Sequence, residues 1–133
     1  MNKFWTQIVF SMIGFGMTSI SWAQDCRKPK TQLEINQCAK RDYDTATKEI
    51  NQIYNEYRKR LNPSQKEQIK EVQLAWIKYR DLACKFESSG VSGGSAESMI
   101  VGVCLTRLTR ARIAELKTLS KCEEGDLSCP AHK

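Results

Sequence analysis

The sequence predicts an all-α fold, a disulfide-stapled antiparallel helical hairpin joined to a third helix as a small three-helix bundle. Apolar side chains recur at steps of three and four through three long segments, the spacing that lines one face of a helix. Helix-start signatures open these segments. No run alternates apolar and polar residues as a half-buried strand does, and the chain carries 6 cysteines, an even number suited to pairing.

The N-terminus predicts the compartment. Met1 to Lys3 is a short basic start, and Ile8 to Ile20 is an apolar run broken only by small residues. Ser21-Trp22-Ala23 puts small residues at the −3 and −1 positions of a cleavage point. This is the pattern of a secretory signal peptide, expected over residues 1–23. The apolar run is shorter than the ~20 residues of a membrane span. Gln24 and Asp25 precede Cys26, so lipid anchoring through that thiol is not expected. Residues 24–133 should form a single helical domain, periplasmic or secreted, with no stable membrane anchor once the signal is removed. That length suits one domain with a modest core, which needs staples.

The first helix is expected over about Thr31 to Leu61. Thr31 and Glu34 form a capping box, in which the hydroxyl accepts a free backbone N–H and the carboxylate accepts another. Ile35, Ala39, Tyr43, Ala46, Ile50, Ile53, Tyr57 and Leu61 draw one apolar stripe. Pro63 disfavours helical geometry at Asn62, and Ser64 with Glu67 reads as a second capping box. So short a joint turns the next helix back antiparallel.

The second helix is expected over about Ser64 to Phe86, with Ile69, Val72, Trp76, Tyr79, Ala83 and Phe86 facing inward. The third starts near Ser95 as N-cap, with Glu97 in its first turn, where the helix dipole favours an acid. Its inner face is expected to be Val101, Cys104, Leu105, Leu108, Ala111, Leu116 and Leu119. Arg107, Arg110, Arg112 and Lys117 populate the rest. A polar tail holding Cys122 and Cys129 follows.

In an exported chain the cysteines read as disulfides. Cys38 and Cys84 lie at similar distances from the Asn62-Pro63-Ser64 turn, so the hairpin brings them to one height and a Cys38–Cys84 bridge is expected. Cys26–Cys104 would then tie the N-terminal arm to the third helix, and Cys122–Cys129 would close the tail. This is one of 15 possible pairings. Zinc is disfavoured, because no C-x-x-C pair occurs and the 1 histidine is His132, in the tail. No cofactor is expected. The formal charge of +6 includes Lys3 of the signal, and acids and bases alternate along the helices as on a solvated face. A periplasmic destination argues against nucleic acid. The oligomeric state stays open.

Ser88 to Ser95 is a run of small residues between the second and third helices, with Cys84 before it and Cys104 after it. It reads either as a tolerant connection or as a recognition loop whose ends are held. As a recognition loop its candidate contact residues are Lys85, Glu87, Ser92, Gly93, Gly94 and Ser95.

Thr31-Gln32-x-Glu34-x-Asn36-x-Cys38-Ala39, followed by Tyr43, resembles the opening motif of the LprI-like family, small exported bacterial proteins named after a lysozyme inhibitor. Gln73-x-Ala75-Trp76-Ile77-x-Tyr79-Arg80-Asp81-x-x-Cys84 resembles its second motif. Gly93-Gly94-Ser95 and Cys104 with Thr106 and Arg110 resemble its third. The resemblance covers roughly Cys26 to Leu119 and implies lysozyme inhibition by binding. Cys122 and Cys129 lie outside the shared motifs. Read as residues, Trp76 and Tyr79 belong to the core stripe. Arg80 and Asp81 point in different directions and seek separate partners, with Glu34 or Asp42 available to Arg80. Gln32 and Asn36 suit capping and inter-helix hydrogen bonds.

Catalysis is not expected. General acid–base work wants a histidine or a matched carboxylate pair in a pocket, a thiol nucleophile wants a free cysteine, and the chain offers neither pattern. The expected function is occlusion of a lysozyme or related muramidase, whose working groups are carboxylates. Lys85, Ser92 and Ser95 could meet those carboxylates. Asp81, Glu87 and Glu97 could offset the repulsion between a basic inhibitor and a basic lysozyme. The alternative is an envelope interaction protein, concerned with immunity or stress, that binds another periplasmic protein.

Overall fold

The computed structural model describes residues 26–123 and 125–130; the expected signal peptide and His132 lie outside them. The fold is all-α. α1 (Gln32–Lys59) leads through a tight turn to α2 (Pro63–Glu87), and a 3-10 turn (Ser89–Val91) leads to α3 (Glu97–Leu119). α2 runs antiparallel to α1, as the Arg58–Glu67 and Tyr43–Arg80 contacts at successive heights require. α3 returns parallel to α1 and packs along it. No described helix is long and apolar enough to cross a membrane.

Local sequence explains the helix starts. The Thr31 hydroxyl accepts the Glu34 N–H, and the Glu34 carboxylate accepts the Thr31 N–H. At α2 the box is built two residues earlier than Ser64–Glu67: Asn62 is the N-cap and exchanges bonds with Gln65. The reason is Pro63, whose fixed φ suits the first helical position and makes Asn62 the last extended residue. α3 begins after Ala96 with no side-chain cap, so Ser95 is not the N-cap. Its backbone carbonyl is engaged by α1 instead.

The core is the α1–α3 seam. Ile50, Tyr57, Leu61, Ile113 and Leu116 form its buried centre, with Ile53, Tyr54, Ile69, Trp76 and Leu119 packed around it. The α1 stripe faces inward as expected. Gly102 lets the two helices touch: a Cβ there would lie 3.0 Å from the Ala39 Cβ and 3.2 Å from the Ala39 carbonyl carbon.

α2 differs from expectation. Its inward side is Ile69, Gln73, Trp76, Arg80, Ala83 and Cys84, whereas Val72, Tyr79 and Phe86 are exposed. Two apolar stripes with the same spacing run along this helix, and the one carrying Cys84 is pulled inward by its bond to α3. On α3, Ala111 is exposed and Arg112 is buried. Arg112 reaches across to α2, donating from Nε to Gln73 Oε1 at 3.3 Å, and pairs within α3 by donating from Nη1 to Glu115 Oε2 at 2.8 Å.

The disulfides are Cys26–Cys38, Cys84–Cys104 and Cys122–Cys129. This overturns the expected Cys38–Cys84 and Cys26–Cys104 bridges. Equal height in a hairpin does not set azimuth: Cys84 sits on the α3 side of α2, and Cys38 is met by the N-terminal arm folding back on the second turn of α1. The tail bond joins the two ends of a short turn, and Gln65 Nε2 donates to the Pro130 carbonyl beside it.

Candidate functional site

One end of the bundle gathers most of the residues singled out in the sequence. The start of α1, the end of α2, the connecting loop and the first turns of α3 meet there. Two of the disulfides also lie at this end. Cys84–Cys104 closes a span of 20 residues around the loop, and Cys26–Cys38 pins the arm that leads into α1.

The loop is a chain of hydrogen-bonded turns. Ser88 is buried at its base, and its hydroxyl donates to the Lys85 carbonyl. Val91 N–H donates to Ser88 O, Gly94 N–H to Val91 O, and Glu97 N–H to Gly94 O. Gly93 has φ +75 and Gly94 approaches the Val91 carbonyl, where an added Cβ would lie 3.0 Å away. Both positions therefore exclude side chains for physical reasons. The Gly93 N–H donates to Glu97 Oε2 at 2.7 Å, so the first-turn acid of α3 ties down the loop tip. Ser89 to Ser95 stay exposed.

α1 holds the far side. Asn36 Nδ2 donates to the Ser95 carbonyl at 2.9 Å, and Gln32 Nε2 donates to Asn36 Oδ1 at 2.9 Å. Gln32 also approaches Met99 Sδ at 3.9 Å. Gln32, Asn36 and Ser95 thus form a relay from α1 to the loop, and Met99 extends it into α3.

The charged neighbours are already engaged. Arg107 and Glu87 pair at 2.6 Å across α3 and α2. Arg80 Nε and Nη2 both donate to Asp81 Oδ1, at 2.8 and 2.7 Å, so these neighbours are partners and neither reaches Glu34 or Asp42. The Arg80 guanidinium also lies over the rings of Tyr43 and Trp76. Tyr79 points to solvent. Lys85 and Ser92 are exposed beside the loop.

A groove of about 590 Å³ adjoins the loop between α1 and α3, lined by Leu33, Lys40, Tyr43, Glu97, Val101 and Leu105 among others. Sequence reasoning missed this groove and the Glu97 anchor. The anchor had a signal, an acid four residues after a glycine that needs positive φ. Thiol chemistry has no reagent here, since no cysteine is free. No cluster of metal-ligating side chains occurs among the described residues.

The family described as Lysozyme inhibitor LprI matches residues 24–116. The chain is also similar to "Uncharacterized protein R02472" of Rhizobium meliloti (strain 1021), 38% identical over 114 residues, which cover 76% of this chain and 82% of that protein. No solved structure matches.

Proposed function

This chain belongs to the lysozyme inhibitor LprI family, and from that premise we propose that it inhibits a lysozyme or related muramidase by occlusion. The turn-built loop from Ser88 to Ser95 enters or caps the enzyme's cleft. The observation that carries the reading is the way this exposed loop is fixed: by Cys84–Cys104 at its base, by Asn36 on the Ser95 carbonyl, and by Glu97 on the Gly93 N–H. A loop ordered before binding loses little entropy on docking, which is what a blocking inhibitor requires.

The partner chemistry follows from what is left free. Asp81, Glu87 and Glu97 are each bonded within the chain, so they are weak recruits for a basic enzyme. Lys85 and the Ser92 and Ser95 hydroxyls are exposed beside the loop and complement the paired carboxylates of a glycosidase cleft. Action in the periplasm or outside the cell follows from the expected signal peptide and suits a wall-degrading target.

A cell-wall clearing assay with the chain lacking residues 1–23 tests this. Added in excess, it should slow lysozyme, and deletion of Gly93 and Gly94 should abolish the slowing while circular dichroism keeps its helical signal. Full lysozyme activity at large excess of the intact chain refutes the proposal. Capture of some other periplasmic protein under those conditions would support the envelope-interaction alternative.

A further inference from the structure

The outer face of α2 carries an apolar stripe that the bundle does not use. Val72, Ala75, Tyr79, Leu82 and Phe86 follow one another at steps of three and four, the repeat of a coiled-coil seam. The stripe spans about 21 Å of helix. Val72 is 49% exposed, Tyr79 61%, Leu82 57% and Phe86 80%. Side chains of this size leave on the order of 500 Å² of apolar surface open to water per copy. Two such stripes laid together bury about 1,000 Å², the level at which a specific interface becomes plausible.

We infer that the chain forms an antiparallel homodimer by packing α2 against α2 of a second copy along this stripe. The stripe is its own complement. With the two-fold axis beside Ile77, Tyr79 fills the space left by Ala75 of the second copy, and Val72 meets Leu82 of the second copy. Symmetry repeats both relations. Phe86 then lies over the aliphatic stem of Gln68 of the second copy.

Charge selects the same register. Glu71, Lys78 and Lys85 flank the stripe along one edge. All are exposed, and none pairs with another charge among the described residues. In the register above, Glu71 faces Lys85 of the second copy twice per dimer, against one Lys78–Lys78 approach on the axis. Sliding the copies one heptad toward the helix C-terminus sets Lys78 against Lys85 twice. Sliding one heptad the other way pairs Glu71 with Lys78 but carries Leu82 and Phe86 beyond the apolar part of the second copy. Only the first register satisfies both the apolar and the charged pattern. It leaves the two loops, Ser88 to Ser95, free at opposite ends of the dimer with their Ser92 and Ser95 hydroxyls exposed, while Lys85 is taken into the seam.

Sedimentation equilibrium on the chain lacking residues 1–23 gives the test. The expected result is a reversible dimer, dissociating in the range of about 1–100 μM. Tyr79→Glu should weaken it at least ~100-fold, since it places a charge at the centre of the seam. Glu71→Lys and Lys85→Glu should each weaken it about tenfold. The double variant Glu71→Lys with Lys85→Glu should return the affinity to within about threefold of the original, because two repulsive pairs become attractive again. The charge variants sit on exposed positions, so they decide the matter even if Tyr79→Glu fails to fold. A chain that stays monomeric at about 1 mM, or a double charge swap no tighter than either single one, overturns the inference.

Discussion

Gly102 on α3 lies against Ala39 on α1 so closely that a Cβ added to the glycine would meet the Ala39 Cβ at 3.0 Å and its carbonyl oxygen at 3.3 Å. Both residues are buried. The contact fixes the separation of the two helices that form the core, and everything packed below it depends on that separation. Gly102→Val is therefore expected to cost about 1–3 kcal/mol, the usual range for overpacking. In a domain of this size that lowers the melting temperature by roughly 4–8 °C per kcal/mol. Ala39→Gly in the same background should recover part of the loss, because it removes the Cβ nearest the clash. An unchanged melting temperature for Gly102→Val would show that the helices are free to move apart.

Arg80 stacks on two rings, 5.5 Å from the Tyr43 centroid and 5.1 Å from that of Trp76. Its side chain is 12% exposed, so these contacts are largely shielded from water. Arg80→Ala should cost about 1–2 kcal/mol. Arg80→Lys should recover only part, since an ammonium cannot lie flat against two rings. Without residues 1–23, Trp76 is the remaining tryptophan, and its emission reports the site directly. Identical spectra for the parent and Arg80→Ala would rule out the stacking.

Cys84–Cys104 should be the staple whose loss costs most. It closes 20 residues, against 12 for Cys26–Cys38 and 7 for Cys122–Cys129. Chain entropy predicts a loss of about 3 kcal/mol for Cys84→Ala with Cys104→Ala, and about 2 kcal/mol for the tail pair. Urea denaturation of the three double variants ranks them. The first should also become the most sensitive to proteolysis within Ser88 to Ser95, and a larger loss from the tail pair would contradict the ordering.

Tyr57 links the core to alkaline stability. Burial raises the pKa of its phenol above 10.0, and the nearby Arg60 guanidinium offsets part of that rise. The folded state thus holds its proton at pH values where the unfolded chain has released it. The contribution is fully present below pH 10 and is lost as pH climbs toward the folded value. Urea midpoints at pH 9 and pH 11 should fall further for the parent chain than for Tyr57→Phe. Equal falls would show that other groups carry the alkaline loss.

The three helices and the cap of α1 were legible in the sequence because they rest on bonds that reach only three or four residues, whereas the Ser64 and Ser95 caps were not. The Thr31–Glu34 box and the apolar stripe of α1 are of this kind. The Ser64–Glu67 spacing puts the α2 start two residues too late, because the fixed φ of Pro63 serves the first helical position as well as ending the turn. At the candidate site, the loop and its flanking cysteines could be read from composition. Its hydrogen-bonded order could not, because the Asn36–Ser95 bond joins residues 59 apart in sequence.

By itself the sequence determined that three amphipathic helices would form, where the polypeptide would turn, and to which family of folded chains it belongs. The tertiary structure decided which cysteines pair, which of the two apolar stripes on α2 faces inward, and that Arg112 is buried while Tyr79 is not. The physical reason is rotation. Helical periodicity fixes the height of every side chain along an axis, but the direction in which a helix is turned depends on neighbours distant in the chain: the closeness of Gly102 to Ala39 and the bond from Cys84 to Cys104.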